Sequence, residues 1–238
     1  MLSVKVDTHT HTIASIHAYS TLLENINQGK KVGLEGLAVT DHGPALKETF
    51  PSSYFGNLRK SIPNRIEGLR IIKGVEANII DFEGNLDLSV SLFKKLDLVI
   101  ASCHESVLKP GTIADHNQLW RKVSQNPWVD IIGHPGNGNY LFDFERILPL
   151  FKEKKKLVEI NSSSFLNRKG AQKNCREIAK LCQLFEIPIV VSSDAHFASA
   201  IGDFSEALKM LEEIGFPQRL IANRGLATLM EKLPKMSD

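Results

Sequence analysis

The fold class that this sequence predicts is α/β: a distorted (β/α)7 barrel of TIM type, with its site at the C-terminal ends of the strands. Three observations predict it. Seven short apolar runs alternate with helical patterns along the chain, and parallel strands need such crossovers. Metal-binding residue types follow runs one, two, three, four, five and seven. An open doubly wound sheet gathers its site at one switch point, whereas a barrel collects it from many strand ends. The length of 238 residues suits one such unit, so residues 1–238 are read as a single domain.

The first run, Val4-Lys5-Val6, reads as a strand with alternate residues turned inward, and Asp7-Thr8-His9-Thr10-His11 follows at once. Side chains two apart share a face of a strand, so His9 and His11 can close on a divalent ion as a pincer of neutral imidazoles. After His17 comes a helical pattern through Leu22, Leu23, Ile26 and Val32, capped by Ser20 or Thr21 and stopped at Gly33. The strand from Gly36 to Thr40 runs into Asp41-His42-Gly43-Pro44, where glycine and proline turn the chain. Residues 47–66, with Pro51, Pro63 and several aromatics, read as a long loop placed to serve as a lid.

The third strand, Leu69 to Val75, ends in Glu76, and a helical stretch from Leu88 to Leu96 follows. Asp97 to Ser102 is the fourth strand and leads into Cys103-His104-Glu105. Thr112 to Gln125 is helical, Trp128 to Ile132 is a strand, and Gly133-His134-Pro135-Gly136 ends it. A helix from Asp143 to Lys154 precedes the strand from Lys156 to Ile160, which ends in Asn161-Ser162-Ser163. The helix from Lys173 to Phe185 precedes the last strand, Ile187 to Ser193, and its end, Asp194-Ala195-His196. Helices from Asp203 to Ile214 and from Gly225 to Lys232 complete the chain.

The chain has eight histidines. His9, His11, His17, His42, His104, His134 and His196 stand just after predicted strands; His116 falls inside a helix and is assigned to its surface. One histidine at a strand end is more often a satisfied polar residue than a ligand. Seven are harder to explain so, since each buried imidazole would need its own partner. With Glu76 and Asp194 there are nine candidate metal ligands. At three or four protein ligands per zinc, they suggest two or three ions sharing carboxylates. Nitrogen and oxygen donors without thiolate suit zinc, manganese or iron, Zn2+, Mn2+ or Fe2+.

Composition narrows the partners. Net charge is +2, from 29 basic and 27 acidic residues, too balanced to argue for nucleic acid or an anionic membrane. The one basic run, Lys152 to Lys156, reads as the solvated end of a helix. No stretch approaches the ~18 apolar residues of a membrane span, and no secretory signal is visible. Three cysteines, Cys103, Cys175 and Cys182, form no CxxC pair and suggest a reducing cytoplasm.

The set Asp7-x-His9-x-His11, His17, Thr40-Asp41-His42, Glu76, His104, Gly133-His134-Pro135 and Ser193-Asp194-Ala195-His196 resembles the PHP (polymerase and histidinol phosphatase) family. Ser15-Ile16-His17-Ala18-Tyr19-Ser20, His134-Pro135-Gly136-Asn137 and Glu159 to Phe165 most resemble its YcdX-type phosphatases. The resemblance runs over essentially the whole chain. It implies a distorted seven-stranded barrel with a trinuclear, usually zinc, centre. It further implies that His9, His11, Glu76 and Asp194 hold one ion, that Glu76, His104 and His134 hold a second, and that His17, His42 and His196 hold a third.

The resulting expectation is a metal-dependent hydrolase of small phosphomonoesters that uses a metal-activated water, with Glu76, Asp194 and His196 also as candidate catalytic groups. A small phosphorylated substrate is then the expected partner, and a homo-oligomer is compatible. Three alternatives share the ligand pattern: an amidohydrolase, a phosphodiesterase or nuclease, and a non-catalytic metal-binding protein. Asp7 and Asp41 either orient histidines or cap loops. Arg168 and Lys169 either meet a phosphate or are solvated, and Tyr140 and Phe165 either wall the pocket or pack. Cys103 is read as core, with Glu105 facing away from the site.

Overall fold

Val6, Ala38, Ile72, Ile100, Ile131, Leu157 and Val190 come from different strands and meet in one buried apolar layer. They line the inside of a nearly closed barrel of parallel strands. The computed structural model describes residues 2–47, 49–233, 235 and 236. Its strands are β1 (Val6–Asp7), β2 (Gly36–Val39), β3 (Arg65–Ile66), β4 (Leu69–Asn78), β5 (Leu98–Ser102), β6 (Ile131–Ile132), β7 (Leu157–Asn161) and β8 (Ile189–Ser192). The parallel order is β1-β2-β4-β5-β6-β7-β8, and β3 is a short antiparallel addition to β4.

Between β8 and β1 the ladder is replaced by other contacts. Thr10 and Ala195 form an isolated parallel bridge, and the Asn223 side chain fills the gap below it. Its Nδ2 donates to the carbonyls of Val6 and Val191, at 2.8 and 2.6 Å, and its Oδ1 accepts from the Val191 N–H at 3.0 Å. A side-chain amide thus stands in for backbone groups at the seam, where buried N–H and C=O groups would otherwise lack partners.

The helices are α1 (Leu22–Lys31), α2 (Ser53–Ser61), α3 (Val90–Phe93), α4 (Ile113–Gln125), α5 (Phe144–Glu153), α6 (Ser164–Asn167), α7 (Ala171–Leu184), α8 (Ser205–Glu213) and α9 (Leu226–Lys232). Capping boxes start two of them, Thr21 with Glu24 for α1 and Thr112 with Asp115 for α4, and Asp143 caps α5. Leu229 of α9 packs with the lumen layer. A larger outer cluster joins α4, α5, α7 and α8 to the sheet through Trp120, Phe151, Ile178 and Leu211. Among the described residues no helix is long and apolar enough to cross a membrane.

Three expectations need correction. The stretch from 47 to 66 is not one loop, because α2 forms there and buries Phe55 and Leu58 against β4 and β5 residues Val75 and Val99. The helix expected from Leu88 to Leu96 is a single turn, α3. Lys156 is buried rather than solvated: its ammonium donates to the carbonyls of Asn126 and Val129 at 2.6 and 2.7 Å. The ammonium satisfies two backbone acceptors at once, while burial lowers its pKa to about 8.

Above the apolar layer the lumen narrows to small residues. A Cβ at Gly74 would lie 2.9 Å from both the Leu98 carbonyl oxygen and Thr40 Cγ2, and one at Gly133 would lie 2.0 Å from Ser102 Oγ. Glycine is required at both places by close approach. It lets neighbouring strands bring the next inward residues, Glu76 and His134, together.

Candidate metal centre

Alternation along the strands decides what reaches the top of the lumen. Ile72, Gly74 and Glu76 share the inward face of β4; Ala38, Thr40 and His42 continue β2; Ile100, Ser102 and His104 continue β5; Val190, Ser192 and Asp194 continue β8. In β1 the alternation slips, since Val6 and His9 both face the lumen although they are an odd number apart. The strand ends at Asp7, and the chain beyond it is held by Ala195 instead, with the His11 N–H donating to its carbonyl at 2.9 Å.

The nine sequence-predicted residues meet at this end of the barrel, with the Glu76 carboxylate at their centre. His42 Nδ1 is 2.6 Å from it, His134 Nε2 2.9 Å, His9 Nε2 3.3 Å, His104 Nε2 3.4 Å and His11 Nε2 3.5 Å. Asp194 Oδ1 approaches His11 Nε2 at 3.2 Å and His9 Nε2 at 3.6 Å. His17 is exposed at the mouth, its Nε2 3.2 Å from His42 Nε2. Ligand atoms of His9, His11 and Glu76, of His42, Glu76 and His104, and of His11, His42 and His196 each lie within 4.8 Å of one another. These groups overlap at His11, His42 and Glu76, so distance alone does not divide the residues among ions.

Six of these atoms, His9 Nε2, His11 Nε2, His42 Nδ1, His104 Nε2, His196 Nε2 and Glu76 Oε2, are buried and make no hydrogen bond. His42 Nδ1 and Glu76 Oε2 stay unpaired despite their 2.6 Å separation, because their alignment is wrong for a hydrogen bond. Leaving so many buried polar atoms unpaired is costly. Lone pairs converging on shared points are what a cation needs, and the donor set therefore fits divalent metal ions.

The other nitrogen of several rings is taken. His9 Nδ1 meets Glu159 Oε1 at 2.7 Å, His104 Nδ1 meets Asn78 Oδ1 at 2.7 Å, and His196 Nδ1 donates to the Asp194 carbonyl at 2.9 Å. Such partners orient a ring and fix its tautomer. Glu159, which lies inside the apolar run of β7, was missed by strand-end reasoning. It also accepts from the His134 N–H at 2.5 Å and from Ser192 Oγ at 2.6 Å. The available signal was a carboxylate at an inward register position between Leu157 and Asn161.

Electrostatics follow from burial and crowding. Burial, then the neighbouring His42 and His196, push His17 down to about 4; burial, then Arg168, does the same to His134. Burial opposes charge on Glu76 and on His9 too. There the partners win: His9, His104 and His42 hold Glu76 well below the usual carboxylate range, while Glu76, Glu159 and Asp194 hold His9 well above the usual imidazole range. His134 and Asp194 have φ of +28° and +54°, a conformation that is uncommon outside glycine and clusters at functional sites.

The remaining candidates sort as follows. Asp7 accepts from the Ser193 N–H, the Ser193 hydroxyl and the Gly202 N–H, so it anchors the loop that carries Asp194. Arg168 is bonded to Asp194 Oδ2 at 3.1 Å and to Ser164 Oγ at 2.9 Å. Cys103, Cys175, Cys182 and Tyr140 are buried in the outer core, Phe165 packs on it, and Glu105 is exposed. His116 is not on a helix surface. It is buried, donates from Nδ1 to the Leu141 carbonyl at 2.7 Å, and accepts at Nε2 from the Gly111 N–H at 3.0 Å. His116→Ala should therefore lower stability by about 1–3 kcal/mol through two orphaned backbone groups, with metal content unchanged. Urea unfolding and elemental analysis of the same sample check both halves.

The model of the PHP domain matches residues 7–163, and that of the PHP-associated family matches residues 172–205. The chain belongs to the PHP family. Two curated PHP relatives, each named "Probable phosphatase", match nearly end to end. One from Clostridium botulinum is 43% identical over 96% of this chain and 93% of its own; one from Thermoanaerobacter is 46% identical over 98% and 95%. Among solved structures, the histidinol phosphate phosphatase of Lactococcus lactis, complexed with zinc, L-histidinol and phosphate, superposes with a TM-score of 0.62. It is 16% identical, over 90% of this chain and 94% of that one, so the likeness speaks for the PHP barrel fold alone.

Proposed function

We propose that this PHP protein is a phosphatase that hydrolyses small phosphomonoesters at a zinc centre of two or three ions, with residues 1–238 acting as one barrel unit. The observation that carries the metal reading is the set of unpaired buried ring nitrogens around Glu76. The relatives named as phosphatases support the reaction class. Within the proposal, His9, His11, Glu76 and Asp194 hold one ion, Glu76, His104 and His134 a second, and His17, His42 and His196 a third. Bound there, the ions would supply charge to the phosphoryl oxygens and a nucleophile at neutral pH.

The chain's own groups do the rest. Glu76 and Asp194 keep the imidazoles converged. Arg168 lines both cavities that open beside His17 and His196, one of about 740 Å³ and one of about 340 Å³. It is thus placed to meet a phosphoryl oxygen while it orients Asp194. The wider cavity, with Tyr19, Leu166 and Phe197 on its wall, is where the rest of a substrate would sit. Glu159 adds a third carboxylate to the charge balance. Two divalent ions together with Arg168 still leave the site positive, which suits a phosphomonoester dianion over a diester.

Three measurements test the reading. Elemental analysis should find two to three transition-metal ions per chain. p-Nitrophenyl phosphate should be hydrolysed about a hundredfold faster or more than its bis ester, given its double against the bis ester's single negative charge at a cationic site. Inorganic phosphate should inhibit competitively. Preference for the bis ester, or for an amide, at full metal content would move the protein to one of the alternative hydrolase classes.

A further inference from the structure

Ser15 sits in the loop between β1 and α1, and it is fully buried. Its hydroxyl oxygen has three neighbours: Asp41 Oδ1 at 2.8 Å, His11 Nδ1 at 3.1 Å and the His42 N–H at 3.1 Å. A hydroxyl has one hydrogen to give and two lone pairs to offer. A carboxylate has none to give, so the Ser15 hydrogen goes to Asp41. The two lone pairs are then left for the His42 N–H and for His11, whose Nδ1 must carry the ring hydrogen. His11 Nε2 is thereby left bare, and it is the atom that makes no hydrogen bond and faces Glu76 and Asp194.

Asp41 is in turn fixed from all sides. Besides Ser15 it accepts from the Thr12 N–H at 2.7 Å, the Thr12 hydroxyl at 2.9 Å and the Tyr54 hydroxyl at 2.7 Å. Tyr54 lies on α2, whose Phe55 and Leu58 are locked into the core. The chain of contacts runs from a rigid helix outside the barrel, through Asp41 and Ser15, to two candidate ligands carried by different strands.

We propose that Asp41, Ser15 and Tyr54 form a positioning relay that sets the tautomer of His11 and the placement of His42 for metal binding. Neither Tyr54 nor Asp41 touches the atoms that would hold an ion; both act through Ser15. Of the two readings of Asp41 from sequence, an orienter of histidines or a loop cap, the relay takes the first. It rests on the metal reading above.

The test uses the full chain stripped of metal and titrated with zinc against a chromophoric chelator, together with long-range 1H–15N spectra of the histidine rings in the zinc-loaded state. In the wild type, His11 should be protonated at Nδ1 and bound through Nε2. Ser15→Ala should weaken the tightest zinc step about 10–100-fold, the usual scale for removing a group behind a ligand, and the His11 Nδ1–H resonance should shift or exchange away. Tyr54→Phe removes a single oxygen from a half-buried side chain, so it serves where Ser15→Ala fails to fold; a several-fold loss of zinc affinity with a shifted Nδ1–H is expected. A His11 ring protonated at Nε2 in the wild type would overturn the relay. So would a folded Ser15→Ala, or Tyr54→Phe, that binds zinc within twofold of wild type with an unmoved resonance. A wild type that binds no zinc at all would instead remove the metal reading itself.

Discussion

Replacing Glu76 with alanine is expected to empty most of the centre and lower kcat/KM for a phosphomonoester by about 10³-fold or more, the scale seen when a member of a cooperating catalytic unit is lost. The reason is geometric. One carboxylate lies within 3.5 Å of His9, His11, His42, His104 and His134. Without it only Asp194 among the proposed ligands offers a carboxylate, with Glu159 behind the His9 ring, and two of the three proposed ions lose a ligand. Glu76→Asp keeps the charge but shortens the reach, so it should fall between alanine and wild type. Metal content, kcat and KM measured on one preparation separate the causes. An alanine variant that keeps its full metal load and activity within tenfold of wild type would falsify the central role given to Glu76.

Glu159→Gln should reduce zinc affinity by about 10–100-fold and flatten its dependence on pH. Without metal, burial disfavours a charged His9, but Glu76, Glu159 and Asp194 overcome it and raise its pKa well above the ordinary value of 6.5. Glu159 moves the other way, held below its ordinary value chiefly by His9 despite burial. The signs follow. The raised His9 stabilises the metal-free fold fully below about 6.5, and that contribution is lost as pH rises through its folded pKa. The depressed Glu159 contributes above about 4.3, and that is lost as pH falls through its own folded pKa. A metal ligand must be a neutral imidazole, so zinc uptake expels the His9 proton. Wild-type affinity should therefore climb with pH through and beyond the ordinary imidazole value, and level off only where His9 deprotonates by itself. With glutamine at 159 one of the three carboxylates is gone, His9 releases its proton at lower pH, and the climb ends sooner. Zinc titrations at several pH values read this directly; parallel curves for the two proteins would exclude Glu159 as the control on His9.

The sequence by itself determined the barrel and the set of residues gathered at its mouth. Strand-end placement sufficed for His42, His104, His134 and Asp194, because every parallel strand delivers its C-terminal end to the same rim. The helix starts near Thr21 and at Thr112 were legible for an equally local reason, the helical pattern that begins there; that Glu24 and Asp115 complete capping boxes is seen in the structure. Which histidines hold metal stays within the proposal, but their convergence was legible.

What the tertiary structure alone decided is everything that depends on a partner from elsewhere in the chain. Glu159 looks like an anomaly in an apolar strand until His9, 150 residues away, is seen against it. His116 reads as a surface residue of α4 because helical periodicity says nothing of the chain near Leu141 that covers it. Asn223, at the far end of the sequence, closes the seam between Val6 and Val191. Ser15 and Asp41 were near candidate ligands in sequence, yet which hydrogen goes where follows only from counting donors and acceptors in space. Periodicity encodes the direction in which a side chain points. Its partner is chosen by the fold, because a buried polar group must be satisfied by whatever residue packing brings within reach.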